Sequence, residues 1–191
     1  MKKVYLLPAL IIVAAAIVLY GAATAGKKKL TGLPATALAA KFEFLSRNGN
    51  SSCSASFRDS IAAMPDGERL QGSCCSPMDF HRYSEQVEGL TAYRHIPEIP
   101  ADPYDINGAL AKRLQGYYDD IGLTPKEQEA WDYAMENSHE KGPCCCKCWR
   151  WYVYGGLGKY LIRHYGFTGE QVTQVWNLSD GCGGAGDHAH G

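Results

Sequence analysis

An all-α fold, a compact bundle of about five or six short helices behind an N-terminal membrane-directed helix, is predicted by three features of this 191-residue chain. Apolar residues recur three and four apart in separate segments, several of these segments open on recognisable caps, and no run alternates apolar and polar residues as a half-buried strand would. The composition, 46% hydrophobic and 20% charged, supports one globular domain with a real core. A formal net charge of −1 leaves no basic surplus to displace counterions, so a nucleic-acid partner is not expected.

The elements follow in order. Residues 1–25 carry Lys2 and Lys3, then a nearly unbroken apolar run from Val4 to Ala25, which is long enough to span a bilayer. Ala23-Thr24-Ala25 fits a signal-cleavage pattern, whereas the length of the run fits a retained anchor. Either way the segment directs the chain to a membrane, and the expectation is a domain outside the cytoplasm. Residues 26–33 form a basic linker, 34–180 the helical cysteine-cluster domain, and 181–191 a flexible Gly/His tail.

Within the domain, a helix is expected from near Pro34 to Arg47, followed by the loop Asn48 to Ser52 and by Cys53, which stands alone in sequence. The segment from Ser76 reads as a second helix, with Pro77 in its first turn, Asp79 at the positive end, and Phe80, Tyr83, Val87 and Leu90 on one face. After the proline-punctuated connector Ile96 to Pro103, the residues Leu110, Leu114, Tyr117 and Ile121 mark a third stripe ended by Gly122. Thr124-Pro125-Lys126-Glu127 is a capping box opening a helix to about Ser138. A further helix runs from roughly Cys146 to Tyr165, with Gly166 as its stop. Gly155, Gly156 and Gly158 weaken it by about 1 kcal/mol each relative to Ala unless a neighbour packs closely against them. Thr168-Gly169-Glu170-Gln171 caps the last helix, through Val175 and Trp176.

Chemistry concentrates in the sulfurs. Four of the eight cysteines lie in Cys144-Cys145-Cys146-Lys147-Cys148, and Cys74-Cys75 forms a second cluster. Both are expected beside a helix start, where the positive end of the dipole favours thiolate, the form that binds metal or attacks a disulfide. Adjacent cysteines seldom pair with each other, so partners must come from other segments, and Cys182 between glycines is a mobile third contributor. Three readings remain open: a thiolate site for a soft metal ion, Cu(I) or Zn(II), or an iron–sulfur cluster; a set of disulfide staples holding an interaction module; and a redox-active dithiol. The metal reading takes Cys144, Cys146 and Cys148 as first ligands, then Cys74, Cys75 and Cys182. Cys145 serves as a structural or exchange partner, and Cys53 falls outside the site. His81, six residues after Cys75, is either a ligand or an exposed helical histidine.

The remaining motifs assign no enzyme activity. There is no Gly-x-Ser-x-Gly, no Cys-x-x-Cys-His and no phosphate loop around Gly158-Lys159, and the acidic pairs Asp119-Asp120 and Glu127/Glu129 read as solvated helix surface. Trp149, Trp151, Tyr152 and Tyr154 read as core or as a shield over the cluster.

Pro143-Cys144-Cys145-Cys146-Lys147-Cys148 has the P-C-x-C-x-C spacing of the PCYCGC-motif proteins and resembles them over this hexapeptide. It departs from their pattern at Cys145 and Lys147 and lacks a lipid-attachment cysteine. The resemblance implies an exported or membrane-attached cysteine-cluster protein that handles metal; the metal reading itself adds a metal-donor or acceptor protein as the expected partner.

Overall fold

The computed structural model describes residues 34–183, and the N-terminal segment and basic linker lie outside this range. None of the described helices is long and apolar enough to cross a membrane. Seven α-helices are present among the described residues: α1 (Ala35–Arg47), α2 (Ala55–Ala63), α3 (Phe80–Leu90), α4 (Gly108–Asp120), α5 (Pro125–Asn137), α6 (Trp149–Tyr165) and α7 (Gly169–Ser179). The fold is thus mostly helical, but two expectations need correction. There are more helices than five or six, because Ala55–Ala63 turns helical with little apolar patterning to announce it. The domain is also not purely α: β1 (Arg69–Gln71) pairs antiparallel with β2 (Asp105–Asn107), with Leu70 opposite Ile106. Three-residue strands are too short to display a period of two.

Local chemistry sets most helix ends. Thr124 and Thr168 each complete a capping box, with Glu127 and Gln171 returning the bond to the cap nitrogen. Gly166 takes the left-handed conformation that ends α6. Asp79, rather than Ser76, caps α3, because its carboxylate accepts from the Arg82 amide. Removing the Thr124 hydroxyl leaves the first turn of α5 with an unsatisfied donor. A Thr124→Ala chain is therefore expected to lose about 1 kcal/mol of stability in thermal or urea unfolding.

The core is built where α4 crosses α6 and α5 crosses α7. Leu114, Val153, Leu157, Leu161, Val175 and Trp176 are all buried there. The three glycines of α6 are sites of close packing: a Cβ on Gly155 would meet the Tyr118 ring, one on Gly156 the Leu114 carbonyl, and one on Gly158 the Trp176 indole. The helix penalty of these glycines is offset by the contact of α6 with its neighbours. α6 is accordingly buried almost all round, and its N-terminus is planted among the cysteines.

A second, smaller core joins Leu45, Tyr83 and Tyr104, where α1 meets α3. Lys41 of α1 ties this layer to the connector and β2 through ion pairs with Asp102 and Asp105. Burial pushes the Asp105 carboxyl up, but hydrogen bonds from Arg69 and Lys41 outweigh it and hold the group below its ordinary value.

Candidate metal centre

Four separated segments deliver sulfur to one place. The loop before α2 supplies Cys53, and the loop between β1 and α3 supplies Cys74 and Cys75. The turn between α5 and α6 supplies Cys144, Cys145, Cys146 and Cys148, and the stretch after α7 supplies Cys182. All eight cysteines are free thiols. Cys144 approaches Cys182 at 3.4 Å and Cys148 at 3.7 Å, and Cys145 lies 3.0 Å from Cys182. On the other side Cys53 lies 2.7 Å from Cys75 and 3.7 Å from Cys146, and Cys74 is 3.7 Å from Cys75. Cys74 joins the two sides through Cys148 and Cys182.

These spacings have a chemical meaning. A metal–sulfur bond of about 2.3 Å sets the sulfur–sulfur edge at about 3.8 Å in a tetrahedral site and about 4.0 Å in a trigonal one. The four contacts at 3.4–3.7 Å are near that scale, whereas those of Cys53 with Cys75 (2.7 Å) and Cys145 with Cys182 (3.0 Å) fall between it and the roughly 2.05 Å of a disulfide.

The scaffold reasons are local. Ser138 ties the turn into the cysteine run: its hydroxyl accepts from the Gly142 amide at 2.7 Å and donates to the Gly142 carbonyl at 3.0 Å. Cys148 then serves as the N-cap of α6. The final stretch is held against the Cys74-Cys75 loop, since Ser76 donates to the Cys182 carbonyl from both its amide (2.9 Å) and its hydroxyl (3.0 Å). Gly183 sits at φ +85°, and a side chain there would run into the Ser76 carbonyl.

Burial is graded across the cluster. Cys144, Cys148 and Cys182 are each only 1% exposed, Cys53, Cys74 and Cys146 are half-buried, and Cys75 and Cys145 face solvent. Protonation is uneven as well. Hydrogen bonds from Cys148 and Cys182, helped by the charge of Arg150 and opposed by burial, bring Cys74 down to about 2. Hydrogen bonds from Cys145, Cys148 and Cys182 lower Cys144 likewise. Cys148 and Cys182 move up because each shares its proton with Cys144, and burial pushes Cys53 up to about 12. The direction of these shifts favours thiolate at Cys74 and Cys144, the form that captures metal.

The sequence-derived set is brought together with three corrections. Cys53 belongs to the cluster. It directly precedes Ser54, the N-cap of α2, much as Cys148 precedes the first turn of α6, but the signal is invisible unless α2 is recognised. Cys74 and Cys75 do not adjoin a helix start, because α3 begins only at Phe80. Cys182 is not a mobile contributor: it is buried and hydrogen-bonded where a flexible tail was expected to begin. His81 stands apart. Its side chain is 85% exposed with Nε2 3.3 Å from Glu85, and none of the ligand groupings among the described residues includes it.

Arg150 had no sequence signal beyond lying between two tryptophans in a helix that buries most of its surface. It is buried beneath the cluster, donating to the Pro103 carbonyl at 2.6 Å and the Gly72 carbonyl at 3.0 Å, and stacking on Trp149 at 4.5 Å. Trp149 and Tyr154 are core residues, so the aromatic run is packing first. No family model matches the chain, and neither does any curated protein or solved structure.

Proposed function

We propose that this chain is a membrane-tethered, extracytoplasmic protein that binds a soft metal ion, Cu(I) or Zn(II), for sequestration, transfer or sensing. The supporting observation is the convergence of eight free thiols from four segments, in three-sulfur groupings within 4.8 Å and with four of their contacts at 3.4–3.7 Å, near the spacing of metal-bound sulfur. Hydrophobic packing does not require sulfur at that density, and a fold-stapling role needs bonded pairs. The apolar N-terminal run supports the tether, and the P-C-x-C-x-C resemblance supports both export and metal handling, with exchange to a donor or acceptor protein. Cys75 and Cys145, at the solvent edge, are the thiols such a partner would meet.

The close approach of Cys53 to Cys75 favours one second reading, a disulfide-stapled interaction module in which this pair closes first under oxidation. One sample separates the two. The full chain, isolated from its native compartment without reductant, is expected to carry bound copper or zinc and to show thiols that titrate only after the metal is removed. Protein without metal and without free thiols would overturn the metal reading in favour of the stapled module.

A further inference from the structure

The cluster holds more sulfur than any single ion can use. Zinc in structural sites takes four ligands, and a mononuclear site would leave half of these thiols idle in a buried, charge-sensitive location. Four three-sulfur groupings can be drawn, each with its sulfurs within 4.8 Å of one another: Cys53-Cys74-Cys75, Cys53-Cys146-Cys148, Cys75-Cys145-Cys182 and Cys144-Cys145-Cys146. Cys53, Cys75, Cys145 and Cys146 each occur in two of them. Sulfurs shared between neighbouring sites are bridging thiolates, and three-sulfur coordination suits a soft monovalent ion better than zinc.

Arg150 is an independent observation pointing the same way. Its guanidinium is always charged and buried, and no carboxylate among the described residues lies within 4 Å of it. Its two terminal nitrogens donate to neutral carbonyls, and its Nε has no partner. Gly181 leaves open the space that the guanidinium fills, next to Cys182. An unpaired buried charge is costly, so an anion must balance it, and the cluster sulfurs adjoin it on two sides, through Cys148 two residues before it and through Cys182 next to Gly181. Four monovalent ions on eight thiolates leave about −4, as do two four-coordinate divalent ions, so Arg150 marks a centre that stays negative when loaded, and the three-sulfur groupings with shared sulfurs favour the monovalent ion.

We propose that the eight thiols form one polynuclear cuprous–thiolate centre with bridging sulfurs, and that Arg150 is the buried counter-charge that positions and stabilises it. The inference rests on the metal reading above and gives it a cargo: several Cu(I) ions. Loading involves no change of oxidation state. Each thiol that ligates releases its proton to solvent as the copper–sulfur bond forms, and copper enters and leaves as Cu(I).

The test uses the full chain, reduced and kept anaerobic, titrated with Cu(I) delivered as its acetonitrile complex. Ions per chain are counted by native mass spectrometry, and copper–copper scattering is read by X-ray absorption. The expected result is three or four ions per chain with a copper–copper vector. Arg150→Lys should keep that count, while Arg150→Met should weaken copper affinity by about 10–100-fold, as loss of outer-shell partners does. Circular dichroism on both variants confirms that each is folded. If Arg150→Met does not fold, the ion count and the copper–copper vector of the wild-type chain decide alone. One copper per chain, or two isolated zinc ions taken in preference, would overturn the polynuclear centre and leave the soft-metal reading standing. Reduced protein that takes neither metal would overturn both. An Arg150→Met chain that folds and binds copper as tightly as wild type would remove Arg150 from the proposal.

Discussion

A Gly156→Ala chain is expected to lose its cooperative thermal transition. The added Cβ would sit 1.8 Å from the Leu114 carbonyl oxygen and 2.8 Å from the Tyr118 amide nitrogen. Both are backbone atoms inside α4, so no side-chain rotation relieves the overlap, and α4 and α6 must separate. Overpacking relieved by side chains costs about 1–3 kcal/mol, and a backbone clash between the two central helices is expected to exceed about 3 kcal/mol. That is a large share of the roughly 5–15 kcal/mol that holds a domain together. Because Cys148 is the N-cap of α6, the same change should also scatter the sulfurs. Two comparisons make the measurement specific. Gly155→Ala meets side chains alone, the Tyr118 ring closely and Trp131 at 3.4 Å, and should be milder because rings can shift; Gly122→Ala meets nothing within 4 Å and should be nearly silent. Circular dichroism melts of the three variants read the order directly, and a Gly156→Ala melt equal to wild type would show that the helices are not in backbone contact.

The second large effect is expected from replacing the three covered thiols, Cys144, Cys148 and Cys182, together by Ser. Hydroxyl oxygen is a poor ligand for Cu(I) and a weak one for Zn(II), so tight metal binding by the reduced protein should disappear. The buried hydroxyls add a stability cost of about 1–3 kcal/mol each where they find no partner, which a melt will show separately. Replacing Cys75 alone, which takes part in two of the four groupings, should lower the capacity without abolishing it. Metal content measured by inductively coupled plasma mass spectrometry on matched samples checks both, and an unchanged metal-to-protein ratio in the triple variant would exclude the covered thiols as ligands.

Features encoded within a few residues were legible in the sequence. Thr124 with Glu127, Thr168 with Gln171, and Gly166 announce helix ends by chemistry confined to one turn, and the structure places those ends accordingly. What was hidden is non-local. β1 and β2 exist because residues 69–71 meet residues 105–107, and neither triplet carries a pattern alone. α2 presents only Ile61 fully to the core, so its periodicity is faint. The same division runs through the site. Sulfur density exposed the runs at Cys74 and Cys144, but Cys53 gains its place only by the fold that brings it to Cys75 and Cys146. Arg150 could not be ranked above other basic residues until its burial beside thiols was visible.

The gradient of burial across the eight sulfurs carries a kinetic consequence. Ligand exchange requires an incoming thiol or chelator to touch the ion or its sulfur, and Cys75 and Cys145 offer that contact from solvent most openly, Cys53, Cys74 and Cys146 less so. Ions held at the outer edge would therefore turn over quickly, while ions held by Cys144, Cys148 and Cys182 would wait for the outer ones to leave. A proteinaceous acceptor would draw on a rapidly exchanging fraction, with a slow reserve beneath it set by access rather than by bond strength.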